Sequence, residues 1–339
     1  PLFEKYKLVF KYLIGYAYNQ DSYGYLKYKY ISNNEQKDIL TLGSSRILQF
    51  REQMFKNSFY NAGYTVSSIK EFQIFMNLIK GKYPKILIIS LDQWMFNKNW
   101  PDHKTPKSPS YYKSNPNNSV KFQNFLKVYR DIFAGKIKFD LLTKTNENIK
   151  EIGLSAKFVK QGYFNDGSMF YGVQIDKLLK KDKTSYDFEF NETINRITKG
   201  IDKFEHSSEV NEEAFDDLNK FLKFCYENKI HVVSFLPPYS KKVYDEMLKS
   251  GKYSYLGKIN EKVKPIVEKY GFEFYDFSLT ESINSSDTEF LDGFHGSEVT
   301  YLKLLITMIK SNSALSKYCD LNKLETDLNN AKNSYIVYP

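Results

Sequence analysis

The sequence predicts an α/β fold in which helices lie on both faces of a mostly parallel sheet. Apolar strand patterns alternate with helical patterns towards both ends of the chain, and this alternation is typical of parallel sheets. The clearest strand is the nearly continuous apolar run at 86–91, as expected for a strand that is buried on both faces. The 339 residues accommodate one such domain with a long insertion.

Three of the predicted strands lie in the first third of the chain, at 38–42, 58–60 and 86–91. The first strand ends at a Gly-Ser-Ser sequence, and the apolar spacing from Ile47 to Phe55 predicts a helix directly after it. A second helix is predicted over 67–80, where apolar residues recur at helical spacing.

A stretch of about 97–207 separates the third strand from the fourth, and we interpret it as an insertion. It contains a proline-rich loop, a helical pattern over 120–139 and a polar part broken by glycines. The elements predicted after it are helices at 211–228, 241–250, 259–270 and 297–309 and strands at 230–236 and 272–277. We therefore expect one domain over 38–310, followed by a C-terminal tail over 311–339.

The N-terminal segment, 1–37, is predicted to lie outside that domain. The chain begins with Pro1 rather than Met, so we expect a signal peptide or membrane anchor to have been removed. A short apolar run from Leu8 to Ile14 has two interpretations, the end of a juxtamembrane helix or an amphipathic helix packed on the domain.

Composition excludes several classes of protein. The net charge is +9, but the lysines are spread along the chain and no nucleic-acid-binding module is recognisable, so nucleic acid is not an expected partner. No apolar run approaches the ~20 residues of a membrane-spanning helix. The two cysteines, Cys225 and Cys319, form no Cys-x-x-Cys motif, so neither a metal site nor a cofactor is predicted.

Three candidate site motifs fall where predicted strands end or the last helix begins. They are Gly43-Ser44-Ser45-Arg46, Asn61-Ala62-Gly63 and Asp292-Gly293-Phe294-His295-Gly296-Ser297. Sites in open parallel sheets gather at the carboxyl ends of the strands. A serine at the start of a helix there would sit where free N–H groups favour developing negative charge.

The spacing of Asp292 and His295 predicts acid–base chemistry. Because Asp292 and His295 are three residues apart on a loop, the carboxylate can bind one ring nitrogen and fix the imidazole tautomer. The other ring nitrogen can then face a serine such as Ser45. These groups suit acyl transfer through a covalent serine ester. Each motif alone is weak, because Ser44 or Asp292 could simply cap a helix, but their order and topological positions together strengthen the prediction.

The motifs together resemble those of the SGNH (GDSL-type) hydrolase superfamily. Gly43-Ser44-Ser45 matches the first block with Ser45 as nucleophile, Gly63 matches the second, and Asp292 and His295 match the fifth. The resemblance implies a flavodoxin-like three-layer α/β/α sandwich whose catalytic domain spans 38–310. It also implies an oxyanion hole formed by the backbone N–H groups of Ser45 and Gly63.

The third block departs from the family pattern. The usual oxyanion-hole Asn is absent from Ser90-Leu91-Asp92-Gln93-Trp94. Either two backbone donors suffice, or Asp92, Gln93 or Asn97 takes over. Gln93 is the better chemical candidate, because a carboxylate donates a hydrogen bond only when protonated.

Sequences at 42–46 and 235–239 resemble one branch of the superfamily, with the alginate acetylation proteins and the teichoic-acid D-alanylation protein DltD. This implies an extracytoplasmic protein, associated with the cell membrane or cell wall, that receives acyl groups from a membrane-bound O-acyltransferase. The expected activity is serine-dependent O-acyl transfer or ester hydrolysis, most simply of acetyl groups, on a cell-surface or secreted polysaccharide. The alternatives are a soluble carboxylesterase or lipase, and a non-catalytic protein that binds polysaccharide or the acyltransferase.

Five residues are candidate substrate contacts. Arg46 could bind an anionic substrate or form a salt bridge at the sheet edge. Trp94 and Tyr239 could stack on a sugar ring or simply pack. Asp166 and Ser168 could line the cleft from the insertion.

Overall fold

The computed structural model describes residues 11–15, 23–114, 122–135 and 149–338. The strands are β1 Tyr12–Ile14, β2 Ile39–Gly43, β3 Phe59–Gly63, β4 Ile86–Ser90, β5 Lys150–Ile152, β6 Gln161–Tyr163, β7 Met169–Tyr171, β8 His231–Leu236 and β9 Glu273–Asp276. The helices are α1 Tyr23–Asn33, α2 Ile69–Leu78, α3 Pro109–Lys113, α4 Phe122–Phe133, α5 Leu154–Val159, α6 Gly172–Leu179, α7 Asn191–Lys199, α8 Glu212–Glu227, α9 Lys241–Ser250, α10 Ile259–Glu268, α11 Glu298–Lys310 and α12 Leu321–Asn329.

The main sheet has five parallel strands in the order β3-β2-β4-β8-β9. Its central strand β4 is fully buried, and its alternate side chains point into two separate cores, with Leu87 and Ile89 in one and Ile86 and Ile88 in the other. Helices α2, α8 and α10 contribute to the first core, and helices α11 and α12 contribute to the second. The prediction of an α/β fold with a mostly parallel sheet is confirmed, and helices on both faces are compatible with a three-layer sandwich.

The helix predicted from Ile47 to Phe55 is wrong. This segment instead forms two three-residue 3-10 turns, Ser45–Ile47 and Glu52–Met54. The side chain of Asn61 donates hydrogen bonds to the carbonyls of Ile47 (3.0 Å) and Phe50 (3.1 Å). These contacts hold the segment in an irregular path along the sheet edge, and Ser45 has no α-helix dipole behind it.

The described part of the insertion pairs with the N-terminal segment. Strands β5, β6 and β7 form a second sheet with β1, in the order β5-β1-β6-β7. The predicted helix at the end of the apolar N-terminal run is therefore wrong at Tyr12–Ile14, which is a strand; its part from Leu8 to Phe10 lies outside the described residues. The helix predicted over 120–139 is found as Phe122–Phe133, and residues 120–121 and 136–139 lie outside the described residues.

The segment after 310, predicted as a tail, packs against the domain. Leu315, Leu324 and Val337 are buried in the second core. The carboxylate of Glu298, on α11, accepts hydrogen bonds from the backbone N–H groups of Val337 (2.9 Å) and Tyr338 (3.0 Å). In the parts of the chain that the structure describes, no helix combines the length and the apolar character needed to cross a membrane.

Candidate active site

The hydroxyl of Ser45 lies against the imidazole of His295 at the carboxyl end of the main sheet. Ser45 Oγ is 2.8 Å from His295 Nε2, although the two residues are 250 positions apart in sequence. Ser45 follows β2 directly, and the extended backbone of Ser44 turns the chain out of the sheet. The fold thus brings together two residues that the sequence places in different motifs.

Asp292 completes a chain of hydrogen bonds with His295. Its Oδ2 is 2.7 Å from His295 Nδ1, and its Oδ1 accepts the backbone N–H groups of Phe294 (3.0 Å) and His295 (2.8 Å). Burial by itself would raise the pKa of Asp292, but His295 and these N–H donors outweigh that effect and hold the pKa below its usual value. An ionised Asp292 favours the tautomer with the proton on Nδ1, which leaves Nε2 to accept the proton of Ser45.

The loop that carries Asp292 and His295 is held by Asp187, in the insertion, and by Ser240, which follows β8. The backbone N–H of Gly293 donates to Asp187 Oδ2 (3.1 Å), and the carbonyl of Gly293 accepts the N–H of Ser240 (3.1 Å). A Cβ at Gly293 would lie 2.7 Å from Thr193 Cγ2 and 2.6 Å from Val243 Cγ2, so the close approach requires glycine. Asp187 was missed by sequence reasoning, because it lies four residues before α7 rather than at its N-cap position, although it accepts the N–H groups of Glu192 (2.8 Å) and Thr193 (3.2 Å).

Arg46 is a positioning residue rather than a surface group. It is only 1% exposed, and its guanidinium donates to Gln93 Oε1 (2.8 Å) and to the carbonyls of Pro237 (3.0 Å) and Pro238 (2.6 Å). These contacts tie the Ser45 loop to the segments that follow β4 and β8. The predicted contact of Arg46 with an anionic substrate is therefore corrected, because its donors are directed into the protein.

The oxyanion side of the site differs from the prediction. The backbone N–H of Gly63 donates to Asn61 Oδ1 at 2.8 Å, so it already has an acceptor. Glycine is needed at 63 because a Cβ there would lie 2.7 Å from Ile47 Cγ2. Among the described residues, none accepts a hydrogen bond from the N–H of Ser45. The N–H of Ser45 is therefore the one predicted donor that remains available.

Gln93 and Asn97, the two amide side chains that could replace the oxyanion-hole Asn, both donate hydrogen bonds within the protein. Gln93 Nε2 donates to the carbonyl of Pro237 (2.8 Å) and to Ser278 Oγ (3.0 Å). Asn97 Nδ2 donates to the carbonyl of Glu205 (2.6 Å). The assignment of Gln93 to the oxyanion hole is corrected, because both hydrogens of its amide are used within the protein. Burial raises the pKa of Asp92, and the nearby guanidinium of Arg46 opposes that rise.

The remaining substrate candidates are also buried. Trp94 and Tyr239 are both 0% exposed and flank the Arg46 guanidinium, which lies 5.3 and 4.4 Å from their ring centroids. Asp166 accepts the N–H groups of Glu52 (2.8 Å) and Ser168 (2.9 Å). Because the rings of Trp94 and Tyr239 are buried, they offer no face to a sugar, and the predicted stacking role of these two residues is corrected.

Asp166 and Ser168 join the insertion to the segment after Ser45. Ser168 Oγ accepts a hydrogen bond from Arg51 Nη1 (2.6 Å), and Arg51 Nε donates to Glu298 Oε1 (2.8 Å). Ser168 is 0% exposed. The predicted cleft-lining role of Asp166 and Ser168 is therefore corrected to an internal link.

No group of three or more His, Cys, Asp or Glu in the described ranges is placed to hold a metal ion. Comparison of the sequence with known protein families matches no family model. Comparison with curated proteins finds no similar sequence.

Proposed function

We propose that this chain is a serine-dependent O-acyltransferase or esterase that acts through an acyl ester on Ser45. The observation that carries the proposal is the continuous chain from Ser45 Oγ through the imidazole of His295 to Asp292, with distances of 2.8 and 2.7 Å. Such an arrangement lets one ring nitrogen take a proton while the carboxylate stabilises the resulting imidazolium.

The proposed reaction has two halves. Ser45 Oγ attacks the carbonyl carbon of an acyl ester as His295 Nε2 takes the hydroxyl proton, and the imidazolium returns this proton to the departing alcohol. An acceptor hydroxyl or water then gives its proton to Nε2 and attacks the acyl carbon. As the bond from the acyl carbon to Ser45 Oγ breaks, the imidazolium returns the proton to Oγ and the Ser45 hydroxyl is restored. The N–H of Ser45 would stabilise the oxyanion in both halves.

We further propose a flavodoxin-like sandwich of the SGNH type. Renumbered within the main sheet, its strand order is 2-1-3-4-5, the order of flavodoxin-like doubly wound sheets. Ser45 lies at the carboxyl end of β2 and Asp292–His295 lies shortly before α11. These positions support the resemblance of the three sequence motifs to that superfamily.

The proposed substrate is a cell-surface or secreted polysaccharide, with acetyl as the simplest acyl group. The proposed location is extracytoplasmic, at the membrane or cell wall, with a membrane-bound O-acyltransferase as acyl donor. These points depend on the resemblance of 42–46 and 235–239 to proteins of polymer acylation. An excess of nine positive charges favours association with anionic surfaces.

Covalent labelling tests the proposed nucleophile. We expect a fluorophosphonate probe to label the wild-type protein at Ser45, and Ser45→Ala and His295→Ala to abolish or strongly slow labelling. Ser282→Ala is a matched control because Ser282 is exposed and outside the site. Peptide mapping identifies the modified residue, and equal labelling of wild type and Ser45→Ala would refute the proposal.

A second candidate is a non-catalytic binding protein with an inactive site. It is favoured by one observation, the engagement of both the Gly63 N–H and the Gln93 amide by other groups. The two candidates differ in turnover of 4-nitrophenyl acetate. An enzyme releases nitrophenolate in a reaction that Ser45→Ala abolishes, whereas a binding protein gives the same background rate with and without Ser45.

A further inference from the structure

Two basic side chains from the end of the insertion, Lys203 and Arg196, lie against Phe294, the residue before His295. The Lys203 ammonium is 5.1 Å from the ring centroid of Trp94 and 5.5 Å from that of Phe294. The Arg196 guanidinium carbon is 5.9 Å from the same Phe294 centroid. The rings of Phe294 and His295 are 4.2 Å apart, so the cations lie one aromatic ring away from the proposed general base.

The Lys203 ammonium has no anion of its own in the described part of the chain. None of the described residues accepts a hydrogen bond from Lys203 Nζ, and none forms an ion pair with it. Desolvation lowers the pKa of Lys203, and the more distant carboxylates of Asp92 and Asp292 oppose that effect. Asp292 is bound to His295. Asp92 contacts Arg46 only at 3.5 Å, and its Oδ2 has no hydrogen-bond partner among the described residues.

Arg196 is only loosely paired. Its Nε is 3.5 Å from the carboxylate of Glu192, whose side chain is 46% exposed, and its Nη2 donates to the hydroxyl of Tyr186. A long contact to an exposed carboxylate is weak and easily exchanged for another anion. The site therefore contains two cations: Lys203 has no directly bonded anion among the described residues, and Arg196 has only a weak ion pair.

Contacts with aromatic faces hold a cation in place but leave its N–H donors free. Three N–H donors on Lys203 and a planar fork on Arg196 suit an oxyanion such as a carboxylate or a phosphate. A neutral substrate would leave the half-buried Lys203 ammonium without a directly bonded anion, which is unfavourable.

We propose that Lys203 and Arg196 form an anion-binding subsite that selects substrates with a carboxylate or phosphate group near the reacting ester. This inference depends on the proposed function, because it places an anionic saccharide or a similar acid next to Ser45. It also gives the insertion a role in specificity beyond its support of the Asp292–His295 loop.

The test compares an anionic acetyl ester, 4-acetoxybenzoate, with its neutral counterpart, methyl 4-acetoxybenzoate, in which the carboxylate is replaced by a methyl ester. We expect the wild-type protein to have the higher kcat/KM for the carboxylate. Lys203→Met keeps an unbranched apolar stem over the rings, and we expect it to lower the carboxylate-to-methyl-ester ratio about tenfold, as typical for one lost hydrogen bond to a charged group. The matched control Lys199→Met removes an exposed lysine at the end of α7, and we expect it to keep the wild-type ratio.

Salt provides a second measurement that needs no variant. Raising sodium chloride from 50 to 500 mM should lower the wild-type ratio, because ions screen a partly exposed charge contact. A wild-type protein without preference for the carboxylate, or a ratio that is the same in Lys203→Met and Lys199→Met, would overturn the subsite.

The two proposals fail in different ways. If Ser45→Ala abolishes hydrolysis of the methyl ester but Lys203→Met leaves the ratio unchanged, the enzyme stands and the subsite is wrong. If neither ester is hydrolysed, the proposed function fails, and calorimetric titration with 4-acetoxybenzoate still tests the subsite. Weaker binding to Lys203→Met than to the wild type then supports it, and equal or absent binding overturns it.

Discussion

Replacing Asp292 by asparagine should move the proton of the neutral His295 imidazole from Nδ1 to Nε2. Asp292 Oδ1 accepts two backbone N–H groups, from Phe294 and His295, while Oδ2 faces His295 Nδ1 at 2.7 Å. An asparagine must turn its carbonyl oxygen towards those two donors, because its NH2 group accepts no hydrogen bond. Its NH2 group then faces Nδ1, and the imidazole proton moves to Nε2, where it is directed at Ser45.

The expected loss of activity is large. With a proton on Nε2, the imidazole donates to Ser45 Oγ and no longer removes its proton. The carboxylate that stabilises the imidazolium is also lost. Asp→Asn exchange in Ser-His-Asp sites lowers kcat by about 10⁴-fold, and the geometry around Asp292 leads us to expect a loss of about 10³ to 10⁴.

The assay is the initial rate of nitrophenolate release from 4-nitrophenyl acetate, together with ¹⁵N NMR of the His295 ring. Asp245→Asn is the matched control, because Asp245 is exposed and pairs with Lys241 on the surface. The NMR spectrum should show Nδ1–H in the wild type and Nε2–H in Asp292→Asn. The reasoning fails if Asp292→Asn keeps Nδ1–H, or keeps more than about a tenth of a Ser45-dependent rate.

Three further predictions concern stability. Glu298→Gln leaves the Arg51 guanidinium buried without its charge partner and should lower the free energy of unfolding in urea by about 3–5 kcal/mol; a loss below 1 kcal/mol would contradict this. In Gly43→Ala the new Cβ overlaps Ser90 Oγ, which should lower the same free energy by about 1–3 kcal/mol, with recovery in the double variant that also carries Ser90→Gly but not in one with Ser90→Thr. Burial lowers the pKa of Lys27 to about 7, so above pH 7 the unfolded state binds more protons. Stability relative to Lys27→Met should therefore rise from pH 7 to 8.5 by up to about 1.4 kcal/mol per pH unit, and parallel pH profiles would refute the shift.

The elements predicted well are those whose signals are local. Strand β4 is a continuous apolar run, and α9 was predicted with the bounds that the structure shows, Lys241–Ser250. Apolar residues also recur at helical spacing between Ile47 and Phe55, yet two short 3-10 turns form there. The carbonyls of that segment are held by Asn61, which belongs to the neighbouring strand β3. Periodicity does not encode such a partner.

The candidate site shows the same difference between features with local sequence signals and features that depend on distant residues. Ser45, Asp292 and His295 belong to short motifs, and the structure places their side chains in hydrogen-bond contact. The surroundings of Gln93 depend on Pro237 and Ser278, more than 140 residues away in sequence. Nothing in a single sequence shows that its amide would be used there.

Insertion residues escaped prediction for a related reason. Asp187 and Lys203 stand in a polar stretch without a recognisable motif. Their positions beside the Asp292–His295 loop come from the packing of α7 and its flanking segments on the carboxyl end of the sheet. A polar insertion between two buried strands should therefore be examined for site residues even when its own pattern is weak.

In the proposed site the proton-transfer groups are in place, whereas the oxyanion donors are not both free, and this difference determines how the protein should be assayed. The proton-transfer half is in place, because Ser45, His295 and Asp292 are already in hydrogen-bond contact. In the oxyanion half, the N–H of Gly63 is bound to Asn61. Loss of one oxyanion donor typically costs about 10² to 10³ in kcat, so a site with the Ser45 N–H alone would turn over slowly. Even when the reaction at Ser45 is slow, covalently labelled protein accumulates over hours. Labelling therefore tests the nucleophile more sensitively than turnover.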